Sequence, residues 1–309
     1  MTDLLIFVIA LLLDLVLAEP PNRFHPVAWL GKFISFQLKF APGHGRVRQF
    51  MYGLGMVVVT AALIIVPVAI LSIYLYKFNT VIYVLFSAYI LKNTFSLRGL
   101  WKAVNDVKNS LSLNNVTNAR SDVRALVHRD PASLSELQLM SAAIESCAEN
   151  LCDSFVAPLF YYAIFGLPGA VAYRIVNTFD AMIGYHGDRE YTGKFAARLD
   201  DIVNYIPARL SALLIVVAAA ISRNDVKNAW NTMVGAHSKT ESPNAGWTMG
   251  AMAGALGVQL EKAGYYILGT DEKELSIAAI SQSQNIMLMS AVIWSSLVVA
   301  REVISIAAG

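Results

Sequence analysis

Three clusters of carboxylates, amides and arginines interrupt a chain that is otherwise apolar enough for lipid. The first holds Glu145, Glu149, Asn150 and Asp153, the second Arg174, Asn177 and Asp180, and the third Asp200, Asp201, Asn204 and Arg209. Ionisable groups beside or within lipid are costly and usually persist for a function. Glu145, Glu149 and Asp153 recur every four residues, which places them in one stripe along a helix. Three aligned carboxylates repel one another unless a cation joins them. Magnesium suits such a stripe, because it takes oxygen ligands and commonly arrives with substrate phosphates. A solvated helix face is the plainer alternative.

Arg174, Asn177 and Asp180 follow at three-residue steps, so adjacent members are neighbours on a helix. The planar fork of an arginine holds phosphate or carboxylate. The competing reading is an internal Arg–Asp pair that neutralises two half-buried charges. Asp200 and Asp201 cannot face the same way on a helix, so only one of them points into a site. Asn244 opens a Gly-rich passage, Ser242-Pro243-Asn244-Ala245-Gly246, that could present backbone N–H groups to an anion. It lacks the lysine and the spacing of a P-loop, and the chain contains no H-E-x-x-H or G-x-S-x-G motif. Near the N-terminus, Asp14, Glu19-Pro20-Pro21-Asn22 and His25-Pro26 surround a proline-fixed turn. A lone histidine there is more often structural than catalytic.

The elements that must carry these residues belong to a membrane. The chain has 309 residues, 56% hydrophobic and 15% charged, against roughly 25% charged in soluble domains. A formal charge of +2, from 24 basic and 22 acidic residues, gives no concentrated basic footprint, so nucleic acid is not an expected partner. Tyr52 to Tyr76 is charge-free and long enough to span a bilayer. Val81 to Leu91 follows after a short polar break, which predicts a helical hairpin. Phe155 to Val176 is interrupted by Gly166-Leu167-Pro168-Gly169, as a kinked span or a re-entrant pair of half-helices would be. Ile206 to Ile221 and Asn285 to Ala300 are further candidates.

Leu4 to Ala18 lacks the basic start of a signal peptide and carries Asp14, so it reads as a retained membrane segment. Seven Lys or Arg residues between Lys92 and Asp130 place that segment in the cytoplasm by the positive-inside rule. The expected fold is all-α, a polytopic integral membrane protein with about five or six membrane-embedded helices, some broken or re-entrant, plus cytoplasmic helical segments. Residues 1–309 are read as one membrane-embedded domain, with the polar segments 92–154, 177–205 and 222–284 forming its active face. A re-entrant Phe155 to Val176 would bring the three clusters to one side, and that arrangement is expected here.

Ser133-Leu134-Ser135-Glu136 fits a capping box for the helix that carries the first cluster. On that helix Leu137, Met140, Ile144, Cys147, Ala148 and Leu151 share the face opposite the carboxylates. Cys147 and Cys152, the only cysteines, lie about 140° apart around it. They are expected to be packing residues rather than a disulfide.

Taken together, the motifs resemble the adenosylcobinamide-phosphate synthase family of cobalamin biosynthesis, the CobD/CbiB family. The resemblance runs through Asp14…Glu19-Pro20-Pro21…His25-Pro26-Val27, Glu145-Ser146…Ala148-Glu149-Asn150…Asp153 and Tyr173-Arg174…Asn177-Thr178…Asp180…Gly184-Tyr185. It continues through Ala197-Arg198-Leu199-Asp200-Asp201…Asn204…Pro207-Ala208-Arg209 and Ser242-Pro243-Asn244-Ala245-Gly246…Gly257. Glu19 stands where many members carry Asp.

The resemblance implies an integral membrane ligase that joins adenosylcobyric acid to aminopropanol phosphate through an amide, using ATP and Mg2+. On that chemistry Glu145, Glu149 and Asp153 are expected to hold Mg–ATP, and Arg174 and Arg209 to neutralise phosphate. Asp180 or Asp200, with Asp201 beside it, is expected to accept the ammonium proton of the nucleophile. Asn150, Asn177, Asn204, Asn244 and His25 are the expected substrate contacts. A multi-pass protein of the cell membrane with a cytoplasmic active face follows, beside the lipid bilayer and other membrane-bound late cobalamin-pathway enzymes. The rival readings are a corrinoid or anion transporter, a membrane phosphotransferase and a non-enzymatic scaffold.

Overall fold

Helices make up most of the described chain, which a computed structural model covers at residues 1–17, 23, 25–127, 130–185 and 190–308. Glu19-Pro20-Pro21-Asn22 lies outside these residues. In chain order the elements are α1 (Thr2–Val16), α2 (Pro26–Leu38), α3 (Arg46–Phe78), α4 (Thr80–Lys92), α5 (Leu97–Ser112), α6 (Val116–Val123) and α7 (Glu136–Leu151). A π-helical turn (Cys152–Val156) then leads into α8 (Ala157–Ile183), α9 (Glu190–Val203), α10 (Tyr205–Ile221), α11 (Val226–Ala236) and α12 (Ala245–Leu256). A small hairpin, β1 (Gln259–Lys262) and β2 (Tyr266–Gly269), precedes the final helix α13 (Ile277–Ala308).

Among the described residues four stretches are long and apolar enough to cross a membrane: Arg46–Phe78, Thr80–Ser112, Glu136–Ile183 and Ile277–Ala307. Counting the bent pair Glu190–Val203 and Tyr205–Ile221 as one span makes five. The architecture is that of a mostly all-α, polytopic membrane protein. With 15 residues, α1 falls short of the roughly 20 that a bilayer needs, which is one reason the count is lower than the upper expectation.

The chain groups into two compact units that interleave along it. The first comprises Met1–Ser96, Ala157–Val203 and Val298–Gly309, and the second Leu97–Val156 and Asn204–Leu297. Local hydrophobic patterns cannot show such a division, because it depends on which distant segments pack together.

In the first unit, α3 and α4 form the predicted helical hairpin. The single residue between them, Asn79, turns the chain and caps α4, its Oδ1 accepting from the N–H groups of Val81 and Ile82 at 2.9 and 3.1 Å. The first third of α3 packs on α9. Gly53 makes this possible, since a Cβ there would strike the Thr192 carbonyl. The remainder exposes Val58, Leu63, Val66, Ile70 and Ile73, and only 17% of its apolar window is buried within the protein. Such a surface fits lipid rather than water.

The expected break in α8 occurs at Gly166, whose φ of 65° and ψ of −159° are accessible essentially to glycine alone. The chain reverses there. Tyr161 and Tyr173 would be about 18 Å apart along a straight helix, yet their rings stack with centroids 5.5 Å apart. A Cβ on Gly169 would come within 2.6 Å of the Tyr161 carbonyl oxygen. The limbs 157–165 and 167–183 therefore fold back on one another, as the re-entrant reading requires.

In the second unit, α12 is buried at all but one of its residues. Gly246, Gly250 and Gly254 recur every four residues and face α11 in antiparallel register, meeting His237, Thr232–Met233 and Asn228–Ala229 respectively. Side chains at these points would strike backbone, so the stripe sets how closely the two helices approach. The Gly-rich passage is thus a packing surface. The hairpin β1–β2, paired antiparallel with Leu260 opposite Leu268, packs against α7 and α12. Its loop turns at Gly264, with φ of 79°.

Candidate functional site

In the second unit, the first cluster begins on a helix capped reciprocally. Ser135 Oγ accepts from the Gln138 N–H and Gln138 Oε1 from the Ser135 N–H. The cap is Ser135 rather than Ser133, because the helix starts at Glu136. Every residue from Leu139 to Ala148 is buried, so the stripe does not face water at Glu145. That carboxylate is 6% exposed and accepts from Ser141 Oγ at 2.7 Å and from Tyr266 Oη at 3.1 Å. Ser141 Oγ also accepts from the Glu261 N–H at 2.8 Å. A buried carboxylate requires such donors, and here they fasten the β-hairpin to α7. Leu137, expected on the inner face, is 59% exposed because it lies in the first turn, beyond the packed part of the helix.

Glu149 and Asp153 are half-buried. Successive turns of an α-helix rise about 6 Å per four residues, and the π-turn at Cys152–Val156 shifts the phase before Asp153. Among the described residues no three His, Cys, Asp or Glu side chains lie close enough together to hold a metal ion. Glu145, Glu149 and Asp153 are therefore not gathered into one three-ligand set. π-turns often mark functional sites. Cys147 and Cys152 are both free and buried, the former 3.5 Å from Met287 Sδ, so they pack as expected. Asn150 donates to the Ser146 carbonyl at 3.1 Å.

Asn204, at the head of α10, is 2% exposed, with its Oδ1 3.8 Å from Cys152 Sγ. One turn on, Arg209 donates from Nη1 to the Tyr205 carbonyl at 2.6 Å and to Asn244 Oδ1 at 3.3 Å. Its guanidinium carbon lies 3.5 Å from the Tyr205 ring centroid and 4.8 Å from that of Trp247. The second unit thus brings Arg209 of the third cluster to the start of α12. Two N–H groups of the Gly-rich turn are already satisfied, Asn244 by Ser242 Oγ and Gly246 by Thr240 Oγ1. A separate cavity of about 410 Å3 opens beside Ser141. Glu261, Asp271 and Glu274 line it with no basic residue, which makes it unsuited to an anion.

In the first unit, the second limb of α8 carries Arg174, Asn177 and Asp180. Arg174 Nη1 donates to Asn177 Oδ1 at 3.4 Å, and Thr178 Oγ1 donates to the Arg174 carbonyl at 2.7 Å. Asp201, on α9, is near enough to act electrostatically on Asp180 and pairs with Arg198 at 3.3 Å. Gly193 lets α9 approach the end of α8, since a Cβ there would strike the Ile183 carbonyl. Asp200 is half-buried beside them.

Asp14 forms a buried ion pair with Lys92 at 3.3 Å. Lys92 is consequently no solvated loop charge, and one of the seven basic residues counted toward topology drops out. His25 caps α2, its Nδ1 accepting from the Val27 N–H at 3.2 Å, as a structural histidine would.

Sequence reasoning passed over Ser141, Tyr266, Tyr205 and Trp247. The hairpin was legible as two short alternating runs around a glycine loop, and Trp247 stands only three residues after Asn244.

A family model described as CobD/Cbib protein matches residues 7–292. "Cobalamin biosynthesis protein CobD" of Dehalococcoides mccartyi is 48% identical over 294 residues, covering 95% of this chain and 96% of that protein. "Probable cobalamin biosynthesis protein CobD" of Methanothermobacter thermautotrophicus is 39% identical, with 87% and 88% covered. Its namesake from Methanococcus maripaludis is 36% identical, with 94% and 98% covered. No solved structure matches the chain. A match spanning nearly every element, with both units and all three clusters inside it, makes this chain a member of the CobD/CbiB family.

Proposed function

We propose that this protein is the ATP-dependent acid–amine ligase of its family, joining adenosylcobyric acid to aminopropanol phosphate to give adenosylcobinamide phosphate. The observation that carries the reading is Arg209, a cation held in place without a carboxylate partner among the described residues. An arginine so placed suits a phosphate-bearing substrate. Arg174 is the second candidate phosphate contact, with Asn177 fixing its Nη1. Asn150, Asn204 and Asn244 would hold polar groups of the substrates.

Magnesium commonly uses one or two protein carboxylates and completes its shell with phosphate and water. The half-buried pair Glu149 and Asp153 fits that donor set better than three ligands from α7 would. Glu145 would support the site through the hairpin. Bound Mg–ATP would supply the phosphoryl group that makes a carboxylate a competent acyl donor. Asp180 or Asp200, with Asp201 alongside, would take the proton from the amine. The active face is expected toward the cytoplasm, and association with other membrane enzymes of the pathway would shorten transfer of its corrinoid.

The decisive assay supplies purified protein with adenosylcobyric acid, aminopropanol phosphate, ATP and Mg2+, and reads the corrin mass. A gain equal to the amine minus water, lost on removing ATP or on chelating Mg2+, is the expected result. Glu149→Gln is expected to lower turnover by about a hundredfold. The chain reversal at Gly166 also occurs in transporters, which keeps corrinoid or anion transport as a second reading. Absence of product, with corrinoid flux in proteoliposomes, would favour it.

A further inference from the structure

Arg209 has five N–H donors, and the two hydrogens of Nη1 match its two acceptors, the Tyr205 carbonyl and Asn244 Oδ1. The Nε and Nη2 edge, the edge that grips an oxyanion with two parallel bonds, meets no acceptor among the described residues. The flat guanidinium is set by rings. It lies over Tyr205 and Trp247, and Trp247 in turn packs on His237 with centroids 4.3 Å apart. His237 is itself steadied by Nδ1, 2.7 Å from the Val234 carbonyl. Residues of α10, α11's C-terminal end and α12 thus form one stack around a single cation. The indole Nε1 of Trp247 is also buried and has no hydrogen-bond partner among the described residues. A donor edge and a nearby indole donor both call for an acceptor-rich ligand.

We propose that Trp247 is a positioning residue that holds Arg209 with its Nε/Nη2 edge turned to the phosphate monoester of the amine substrate. The inference rests on the proposed ligase function for its substrate, and goes beyond it by assigning the phosphate to this arginine and its orientation to Trp247. Tyr205 forms the exposed side of the clamp, and His237 backs the indole. A stacked, pre-oriented fork loses little freedom on binding, so disordering it should weaken binding rather than slow the chemistry.

The test compares Trp247→Leu, which removes the ring, with Trp247→Phe, which keeps a ring but lacks the indole N–H. Two readouts are taken on full-length protein in detergent: KM and kcat for aminopropanol phosphate, and thermal stabilisation by aminopropanol phosphate without ATP or corrinoid. The expected result is a KM raised about tenfold in Trp247→Leu and about threefold in Trp247→Phe, with kcat within twofold of the parent in both. Stabilisation by the ligand should shrink in the same order, and Arg209→Lys should abolish it. Parent-like KM and stabilisation in a folded Trp247→Leu protein would overturn the positioning role while leaving the ligase reading intact. If the unmodified protein is neither stabilised by aminopropanol phosphate nor turns it over, the ligase reading falls, and this proposal with it.

Discussion

Asp14 in the first unit and Glu145 in the second are both buried carboxylates, and the polar contacts around them differ in kind. In the first, Asp14 on α1 is neutralised by Lys92 on α4, both almost wholly buried. In the second, Glu145 on α7 takes hydrogen bonds from two neutral hydroxyls, Ser141 and Tyr266. An ion pair cancels charge but leaves two groups that each depend on the other. The Tyr266 hydroxyl also links Glu145 to a distant segment, the β-hairpin. Glycine also plays two different parts. Gly166 supplies a backbone conformation that reverses α8, whereas Gly246, Gly250 and Gly254 supply only the missing side chains that let α11 and α12 touch.

The contrast has measurable consequences. Asp14→Ala removes the carboxylate that Lys92 meets at 3.3 Å in the buried interior, and breaking such a buried pair should lose about 3–5 kcal/mol of stability. Thermal unfolding in detergent would read this, and Asp14→Leu combined with Lys92→Met should recover most of it. If the double variant is as unstable as the single one, the pair is more than mutual neutralisation. Next in size, Gly254→Val drives a side chain into the Asn228–Ala229 backbone and should cost about 3 kcal/mol. Gly250→Ala, where the nearest atom is the Thr232 carbonyl oxygen at 3.2 Å, should cost much less.

Gly166→Ala tests conformation rather than space, because the nearest atom to an added Cβ is 3.9 Å away. A loss of about 2 kcal/mol is expected from the backbone alone. A neutral result would show that α8 can reverse without that glycine. The smallest effects belong to the hydroxyl-held carboxylate. Tyr266→Phe should cost about 1 kcal/mol and raise hydrogen exchange in β1 and β2 before it affects α7. Equal loosening of both would mean that the hairpin and helix are joined mainly by other contacts.

How much was legible varied with the range of the interaction concerned. Tyr52 to Tyr76 and Val81 to Leu91 announced a hairpin because composition and a polar break are local properties. The α8 break was legible for the same reason, since Gly166 and Pro168 act on their own backbone. The capping helix was readable, but its boundary moved from Ser133 to Ser135, a choice made by which serine meets Gln138. Spacing placed Glu145 correctly on a stripe, yet could not show that the stripe turns inward at that residue. The hydroxyl of Tyr266, 121 positions away, is one of the donors that meet it there.

The sequence by itself determined a helical, lipid-facing protein, the places where its helices break, and membership of a family whose motifs it carries in order. Those are properties of composition, of backbone chemistry and of motif order, and none requires knowing what a residue touches. Only the tertiary structure decided that Asp14 answers Lys92, that the glycine stripe serves helix packing, and that Arg209 lies against Trp247 and Asn244. The contacts of Asp14 and of Arg209 join residues at least 35 positions apart, and a long loop closes for little more entropy than a short one. Packing and polar satisfaction, rather than distance along the chain, therefore select the partner.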